Sequence, residues 1–193
     1  MHEAPAQLLV RPALPTEAAH VAWLAATTFP LACPPGAAVE EMARHIATHL
    51  TPAAFTAWTA SADHTLLVAS LGGELLGYAL LHLGVPEGAQ EARAVAAATG
   101  GDGPSVELSK IYAHPLHLGD GTSSALMRAT VAAASDLSVA HGHDAPLPLW
   151  LGTNSQNLRA QAFYRKHGFV VVGTRTYDVG GHVHDDVVML HRG

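Results

Sequence analysis

Apolar residues recur along the chain with two spacings, and each spacing predicts a different kind of element. Short apolar or alternating runs are typical of strands, whereas apolar residues three and four positions apart are typical of amphipathic helices. The predicted strands are Gln7–Pro12, Thr65–Ser70, Glu74–Leu83, Val106–Ala113, Leu147–Gly152, Val170–Tyr177 and Val183–Leu190. The predicted helices are Glu17–Phe29, Val39–Leu50, Ala53–Ala60, Gly121–Ala140 and Asn157–His167.

Glycine pairs mark the turns between these strands. Gly72-Gly73 and Gly180-Gly181 each separate two apolar runs, which is a hairpin signature. The long helix Gly121–Ala140 joins two further strands and therefore predicts a crossover. Hairpins with one crossover predict an α/β fold whose central sheet is mixed and mostly antiparallel. It should have about six to seven strands and helices on both faces.

The segment 85–105 breaks this alternation. It holds Pro86, Gly88, Gly103 and Pro104 around an alanine-rich run. Loops of this length are uncommon inside compact domains. We therefore interpret it as an insertion with a helical turn or two, partly mobile, within a single domain of residues 1–193.

Composition argues against several classes of function. The chain has 193 residues, 49% of them hydrophobic, which suffices for one sizeable core. Its net charge is -6 and its ten basic residues are scattered, which argues against nucleic-acid binding. No apolar run reaches the roughly 18 residues that span a membrane, so no membrane partner is expected and the cytoplasm is the default location. The single cysteine, Cys33, excludes an internal disulfide.

Candidate chemistry starts at the loop Leu118–Ser124, which joins the strand Val106–Ala113 to a helix. Gly119 and Gly121 allow tight bending and close approach to a ligand. The residues that follow, Asp120, Thr122, Ser123 and Ser124, surround the helix start, whose first N–H groups lack internal acceptors and favour an anion such as a pyrophosphate. An ordinary glycine-rich turn with a Ser/Thr cap is the alternative.

A second pattern covers Asn157–Phe169, which reads N-L-R-A-Q-A-F-Y-R-K-H-G-F. Asn157 and Tyr164 are two helical turns apart, so both are expected to face one groove. With the strand end Ile111–Pro115, this block resembles the GNAT (Gcn5-related N-acetyltransferase) family. More narrowly, three other segments resemble the bacterial spermidine/spermine-type acetyltransferases: E-L-x-x-I-Y from Glu107, L-W-L-G (Leu149–Gly152) and G-T-x-x-Y…D-x-V-M-L (Gly173–Leu190). The likeness extends over nearly the whole chain.

The resemblance implies acetyl-CoA as the cosubstrate and assigns its binding residues. In relatives, the backbone of Ile111, Tyr112 and Ala113 pairs with the pantetheine arm as an added strand. Asn154, Asn157 and Tyr164 would also contact the cosubstrate. The loop Leu118–Ser124, here called the cofactor loop, departs from the family pattern Q/R-x-x-G-x-G/A. Among the key positions of this pattern, only Gly121 matches strictly. Leu118, Asp120 and Ser123 differ, and the Asp120 carboxylate would repel a pyrophosphate.

The resemblance also suggests catalytic roles. Tyr164 would be the general acid that protonates the departing thiolate, and the alternative is a core tyrosine. Glu107 would be the general base, raised in pKa by burial. Its alternatives are a solvent-exposed carboxylate or a salt bridge with Lys110, with deprotonation left to water. A backbone N–H near Ile111 would donate to the developing oxyanion. Another branch of the family has a glutamate where this chain has Gly152.

Histidine clusters raise the question of a metal. His141-x-His143-Asp144 and His182-x-His184-Asp185-Asp186 flank glycine-rich turns, and no Glu or Cys completes a zinc pattern. We expect solvated turn histidines and no metal. Glu40-Glu41 would attract a cationic substrate or simply form a solvated helix face.

The sequence therefore predicts an N-acetyltransferase that acts on a primary amine in a ternary complex with acetyl-CoA. The amine would be a small amine or polyamine, or a protein amine, and a homodimer is compatible with the resemblance. A non-catalytic acyl-CoA-binding or sensing module of the same fold is the alternative.

Overall fold

A computed structural model describes residues 7–33, 36–179 and 182–193. Within these residues the chain forms seven strands and six α-helices. The strands are β1 (Leu9–Pro12), β2 (His64–Leu71), β3 (Glu74–Gly84), β4 (Ser105–Ala113), β5 (Leu149–Asn154), β6 (Phe169–Val179) and β7 (His182–His191). The helices are α1 (Ala18–Ala32), α2 (Val39–His49), α3 (Pro52–Ala60), α4 (Ala89–Thr99), α5 (Thr122–Ala140) and α6 (Leu158–Lys166).

The strands form one sheet in the order β1-β2-β3-β4-β5-β7-β6. Among the described strands only β4 and β5 pair in parallel, because α5 crosses between them, and the other neighbours are antiparallel. The predicted fold class is confirmed. The hairpin at Gly72-Gly73 is present with positive φ at both glycines, whereas Gly180-Gly181 lies outside the described residues.

Each face of the sheet has its own apolar core. On one face, Leu126 and Met127 of α5 pack with Leu81 and Leu108 of the sheet. On the other face, Leu24 of α1 and Phe55 of α3 pack around Tyr78, and all three side chains are fully buried. Helices therefore flank both faces, as predicted. Within the described residues no helix is long and apolar enough to cross a membrane.

Two helices differ most from the sequence prediction. The insertion carries α4, a helix of 11 residues, where one or two turns were expected. Ala94 and Val95 of α4 pack on Trp150 and Val188, so tertiary packing stabilises a helix whose composition gave a weak signal. Helix α1 continues past Pro30 to Ala32, because a proline in the last turn removes only one backbone hydrogen bond.

Candidate active site

The site begins where two neighbouring strands part. Strands β4 and β5 pair over only two residues each, ending at Glu107 and Trp150. Beyond that point β4 follows β3 as far as Ala113, while β5 follows β7 as far as Asn154. The divergence opens a wedge in the sheet, and the strand end 111–113 borders it.

A cleft of about 1140 Å³ passes through this wedge. The predicted site residues that line it are Glu107, Ile111, Tyr112, Ala113, Ser123, Asn154, Asn157 and Tyr164. The predicted loop residues that lie outside its lining are Gly119, Asp120, Gly121, Thr122 and Ser124. The structure therefore brings together the strand end, α6 and the start of α5, and leaves most of the glycine loop at the rim.

The cofactor loop is shaped by its glycines and by Asp120. Gly119 and Gly121 have φ of +91° and +97°, a backbone region that favours glycine. Asp120 Oδ1 accepts a hydrogen bond from the Thr122 N–H at 2.9 Å, and Oδ2 lies 3.0 Å from His117 Nδ1. The Thr122 bond is the main reason that the pKa of Asp120 is lowered. An ionised carboxylate therefore takes the first N–H of α5, and those of Ser123 and Ser124 remain for an anion.

The start of α6 is fixed by two asparagines and a buried glutamine. Asn157 caps the helix, its Oδ1 accepting from the Ala160 N–H at 3.0 Å, and Asn154 Oδ1 accepts from the Gln156 N–H at 2.9 Å. Gln161 is 4% exposed and donates to the backbone oxygens of Asn154 and Ser155. These bonds hold the turn between β5 and α6 at the wedge, and the role of Gln161 was missed because it occupies a variable position of the pattern.

Tyr164 projects from α6 into the cleft wall. Its ring makes edge contacts with Phe163 and Phe169 at centroid distances of 5.7 and 6.0 Å. Burial raises the pKa of Tyr164 to about 12. No hydrogen-bonding partner for its hydroxyl lies among the described residues. The phenol is therefore protonated at neutral pH and available to a ligand.

Glu107 also lines the cleft, and it lies on a central strand and not at a sheet edge. Burial raises its pKa, and the cations Arg175 and Lys110 lower it by less. His82, its partner across β3, also lowers the pKa, and Glu91 raises it. The predicted alternative of a salt bridge with Lys110 is absent from the described ion pairs. A carboxyl group with a raised pKa in a cleft is a general-base candidate.

A charged cluster that the sequence reasoning missed lies beside Glu107. Arg175 of β6 contacts Asp186 of β7 and Glu91 of α4, each at 3.4 Å, and all three side chains are at most 14% exposed. Its guanidinium fills the space above Gly152, since a Cβ there would clash with Nη2. This position, where another branch of the family has a glutamate, therefore accommodates a cation held by two carboxylates.

The part of the cleft under α1, α2 and α3 is an acceptor lobe, defined here by Phe29, His45, His49, Trp58 and Lys110. The rings of Phe29 and His45 stack at 4.4 Å, and those of His45 and His49 are 4.8 Å apart. Burial, with repulsion from His49 and Lys110, lowers the pKa of His45 to about 4. Lys110 Nζ lies 4.9 Å from the centre of the Trp58 ring. The lobe thus combines an aromatic wall with one ammonium group.

The remaining sequence candidates contribute little to this geometry. Burial raises the pKa of the Cys33 thiol, which disfavours the reactive thiolate. His141 Nε2 lies 3.0 Å from Asp63 Oδ1, away from the cleft. His184 lines the cleft, and the side chain of His182 lies outside what is described. Among the described residues no three His, Cys, Asp or Glu side chains converge as a metal site would require. Glu41 lines the cleft and Glu40 does not.

Comparison with known proteins agrees with this geometry. Residues 32–169 match the model of the acetyltransferase (GNAT) family. An uncharacterised N-acetyltransferase of Mycobacterium tuberculosis is 38% identical over 175 residues, which cover 91% of this chain and 97% of the relative.

Solved structures show the same fold. The PaiA N-acetyltransferase of Thermoplasma acidophilum, in complex with coenzyme A, is similar with a TM-score of 0.69 and 16% identity, over 97% of this chain and 99% of that chain. NAA60 of Arabidopsis thaliana, in complex with a bisubstrate analogue, is similar with a TM-score of 0.66 and 15% identity, over 96% of this chain and 97% of that chain.

Proposed function

The chain belongs to the GNAT family of acetyl-CoA-dependent N-acetyltransferases, and we propose that it transfers an acetyl group directly to a primary amine while both substrates lie in the cleft. The observation that carries this proposal is the wedge between β4 and β5, in a cleft that Glu107 of β4 and Tyr164 of α6 both line. Cys33, the one cysteine, has a raised pKa, which disfavours it as an acyl carrier.

The residues around the wedge fit acetyl-CoA. The backbone of Ile111–Ala113 borders the wedge beyond the last β4–β5 pair, where the amides of a pantetheine arm would lie alongside it as an added strand. The N–H groups of Ser123 and Ser124 offer donors for phosphate oxygens at the start of α5. Asn157 keeps its side-chain NH₂ for the cosubstrate, since only its oxygen is used in capping. When bound, acetyl-CoA supplies an acetyl group that is activated as a thioester.

Glu107 would act on the amine. A protonated amine has no lone pair, so it must lose a proton before the new N–C bond forms. Glu107 accepts this proton, directly or through water, and its raised pKa makes it a stronger base than an exposed glutamate. The backbone N–H near Ile111 donates to the carbonyl oxygen, where negative charge develops.

Tyr164 would act on the sulfur. As the C–S bond breaks, its hydroxyl donates a hydrogen bond to the departing sulfur. A free thiol has a pKa of about 8.5, well below the value of about 12 for Tyr164. Complete proton transfer from Tyr164 is therefore uphill, and its main contribution is the hydrogen bond to the developing charge. The thiolate then takes up the proton that the nitrogen loses after the N–C bond has formed.

A coupled assay tests this function. The protein is incubated with acetyl-CoA and a panel of primary amines, free thiol is measured, and CoA binding is measured separately by calorimetry. We expect CoA binding and thiol release with at least one amine. CoA binding without turnover of any amine would favour a binding or sensing module, which the Asp120 carboxylate at the helix start makes a serious competitor. Absence of CoA binding would contradict both functions.

A further inference from the structure

Lys110 is a cation without a counter-ion in the acceptor lobe. Its Nζ donates to Ser109 Oγ at 3.1 Å and lies over the Trp58 ring. Among the described residues, no carboxylate oxygen lies within 4.0 Å of this nitrogen. The ring face offsets only part of the cost of removing an ammonium group from water.

The charged groups around Lys110 favour the binding of an anion in the acceptor lobe. Burial lowers its pKa, and Glu107 raises it by less. His45 of α2 and His64 of β2 are close enough to interact with its charge, and neither supplies a negative group. The carboxylates of Glu91 and Asp186 are held by Arg175, on the other side of Glu107. Glu41 of α2 also lines the cleft, but no ion pair among the described residues joins a carboxylate to Lys110.

A bulge in β4 brings Lys110 onto the same face as Glu107. Along β3, Leu80 pairs with Lys110, Leu81 with Leu108 and His82 with Glu107, so Ser109 has no partner. Residues three apart in a regular strand point to opposite faces. With the bulge, Glu107 lies opposite His82 and Lys110 lies opposite Leu80. Leu80 and His82 are two residues apart and share a face, so Glu107 and Lys110 share that face too. The Cα atoms of Glu107 and Lys110 are then separated by about 7 Å along the strand.

We propose that the acceptor amine carries a carboxylate, with its amino group at Glu107 and its carboxylate at Lys110. Trp58 and His45 pack against the carbon chain between these two groups. The inference rests on the proposed acetyl transfer and names its acceptor as an amino acid or a short aminocarboxylate. It argues against a polyamine, because a second ammonium group would meet Lys110 and be repelled.

The experiment compares three compounds that share one carbon skeleton. The ω-amino acids of three to six carbons, their carboxamides and the matching diamines are titrated into CoA-saturated protein by calorimetry. L-α-amino acids and their amides are titrated in the same way. We expect at least one carboxylate to bind about tenfold or more tightly than its amide and its diamine, as a charge-assisted hydrogen bond implies.

Two substitutions assign this preference to Lys110. Lys110→Met keeps the length of the side chain and removes the charge, so it should abolish the preference. Lys110→Arg should keep part of it. Lys166, the only other lysine of the chain, is exposed on α6, and Lys166→Met is the matched control that should keep all of it.

Each result of these titrations and assays supports or overturns the aminocarboxylate proposal. The proposal is overturned if no carboxylate binds, if amides or diamines bind as tightly in the wild type, or if Lys110→Met keeps the preference. Thiol release with diamines alone would leave the acetyl transfer standing and overturn the aminocarboxylate. A further outcome is that a carboxylate binds in a way that depends on Lys110 while no amine releases thiol. That result would contradict the proposed acetyl transfer and would leave the acceptor lobe as a ligand-binding site.

Discussion

The two halves of the cleft are built from different parts of the chain. The cofactor side consists mainly of backbone, namely the strand end Ile111–Ala113 and the helix start after Gly121. The acceptor side consists of side chains from β4, α2, α3 and β6, including Glu107, Lys110 and Arg175. Backbone donors do not depend on side-chain identity, so in the proposed function the cofactor side would tolerate an altered loop. Side chains determine charge, so the acceptor side would determine which amine is acetylated.

The largest effect is expected from the acceptor side. Glu107→Gln keeps the shape of the residue and removes its base, so kcat should fall by about 100-fold or more. In the wild type the rate should rise with pH through the raised pKa of Glu107, because only the ionised form accepts a proton. This rise of the rate with pH, the acidic limb of the profile, should be absent from the Glu107→Gln variant. Glu87→Gln, an exposed change on the same cleft, is the control. An unchanged profile would assign deprotonation to water.

Arg175, on the acceptor side, is expected to affect both the stability of the fold and the pKa of Glu107. Arg175→Met leaves Glu91 and Asp186 buried without their cation, which should cost roughly 3 kcal/mol. Thermal unfolding should show a Tm lower by roughly 6 to 12 °C. Since Arg175 lowers the pKa of Glu107, the acidic limb should also move to higher pH. Arg93→Met, an exposed change on α4, should alter neither quantity. A variant with wild-type Tm would show that the cluster is not a stabilising contact.

Tyr164 lies at the boundary between the two halves. Tyr164→Phe removes the hydroxyl and keeps the ring contacts with Phe163 and Phe169, so folding should be unchanged. We expect kcat to fall by about tenfold to 100-fold, while CoA affinity measured by calorimetry stays within about twofold. If CoA affinity falls as much as kcat does, the hydroxyl binds the cosubstrate and does not assist the departing sulfur.

The smallest effect is expected on the cofactor side. Asp120→Asn keeps the oxygen that accepts from the Thr122 N–H and removes the negative charge. CoA should bind about two to five times more tightly at low ionic strength, and this gain should shrink in high salt. Asp136→Asn, on an exposed face of α5, the helix that follows Asp120, is the control. Equal affinity in wild type and variant would mean that Asp120 does not face the phosphates.

Hydrophobic periodicity and glycine turns predicted the strands, the crossover and the two-faced sheet, because these features depend on local spacing. Contacts between distant residues could not be predicted in this way. Glu91 and Arg175 are 84 positions apart, and Glu91 comes from an insertion whose helix depends on packing. The bulge at Ser109 is equally a tertiary feature. Gly152 offered the one available signal, since a glycine inside a strand often marks a close neighbour.

Direct transfer requires that acetyl-CoA and the amine fill both halves of the cleft at once, so that the acetyl group passes between them without an intermediate on the protein. Initial velocities measured while acetyl-CoA and the amine are varied together test it, with mass spectrometry of the protein after exposure to acetyl-CoA alone. We predict intersecting double-reciprocal lines and no acetylated side chain that turns over. Parallel lines, together with an acetyl group on the protein that the amine removes, would contradict it.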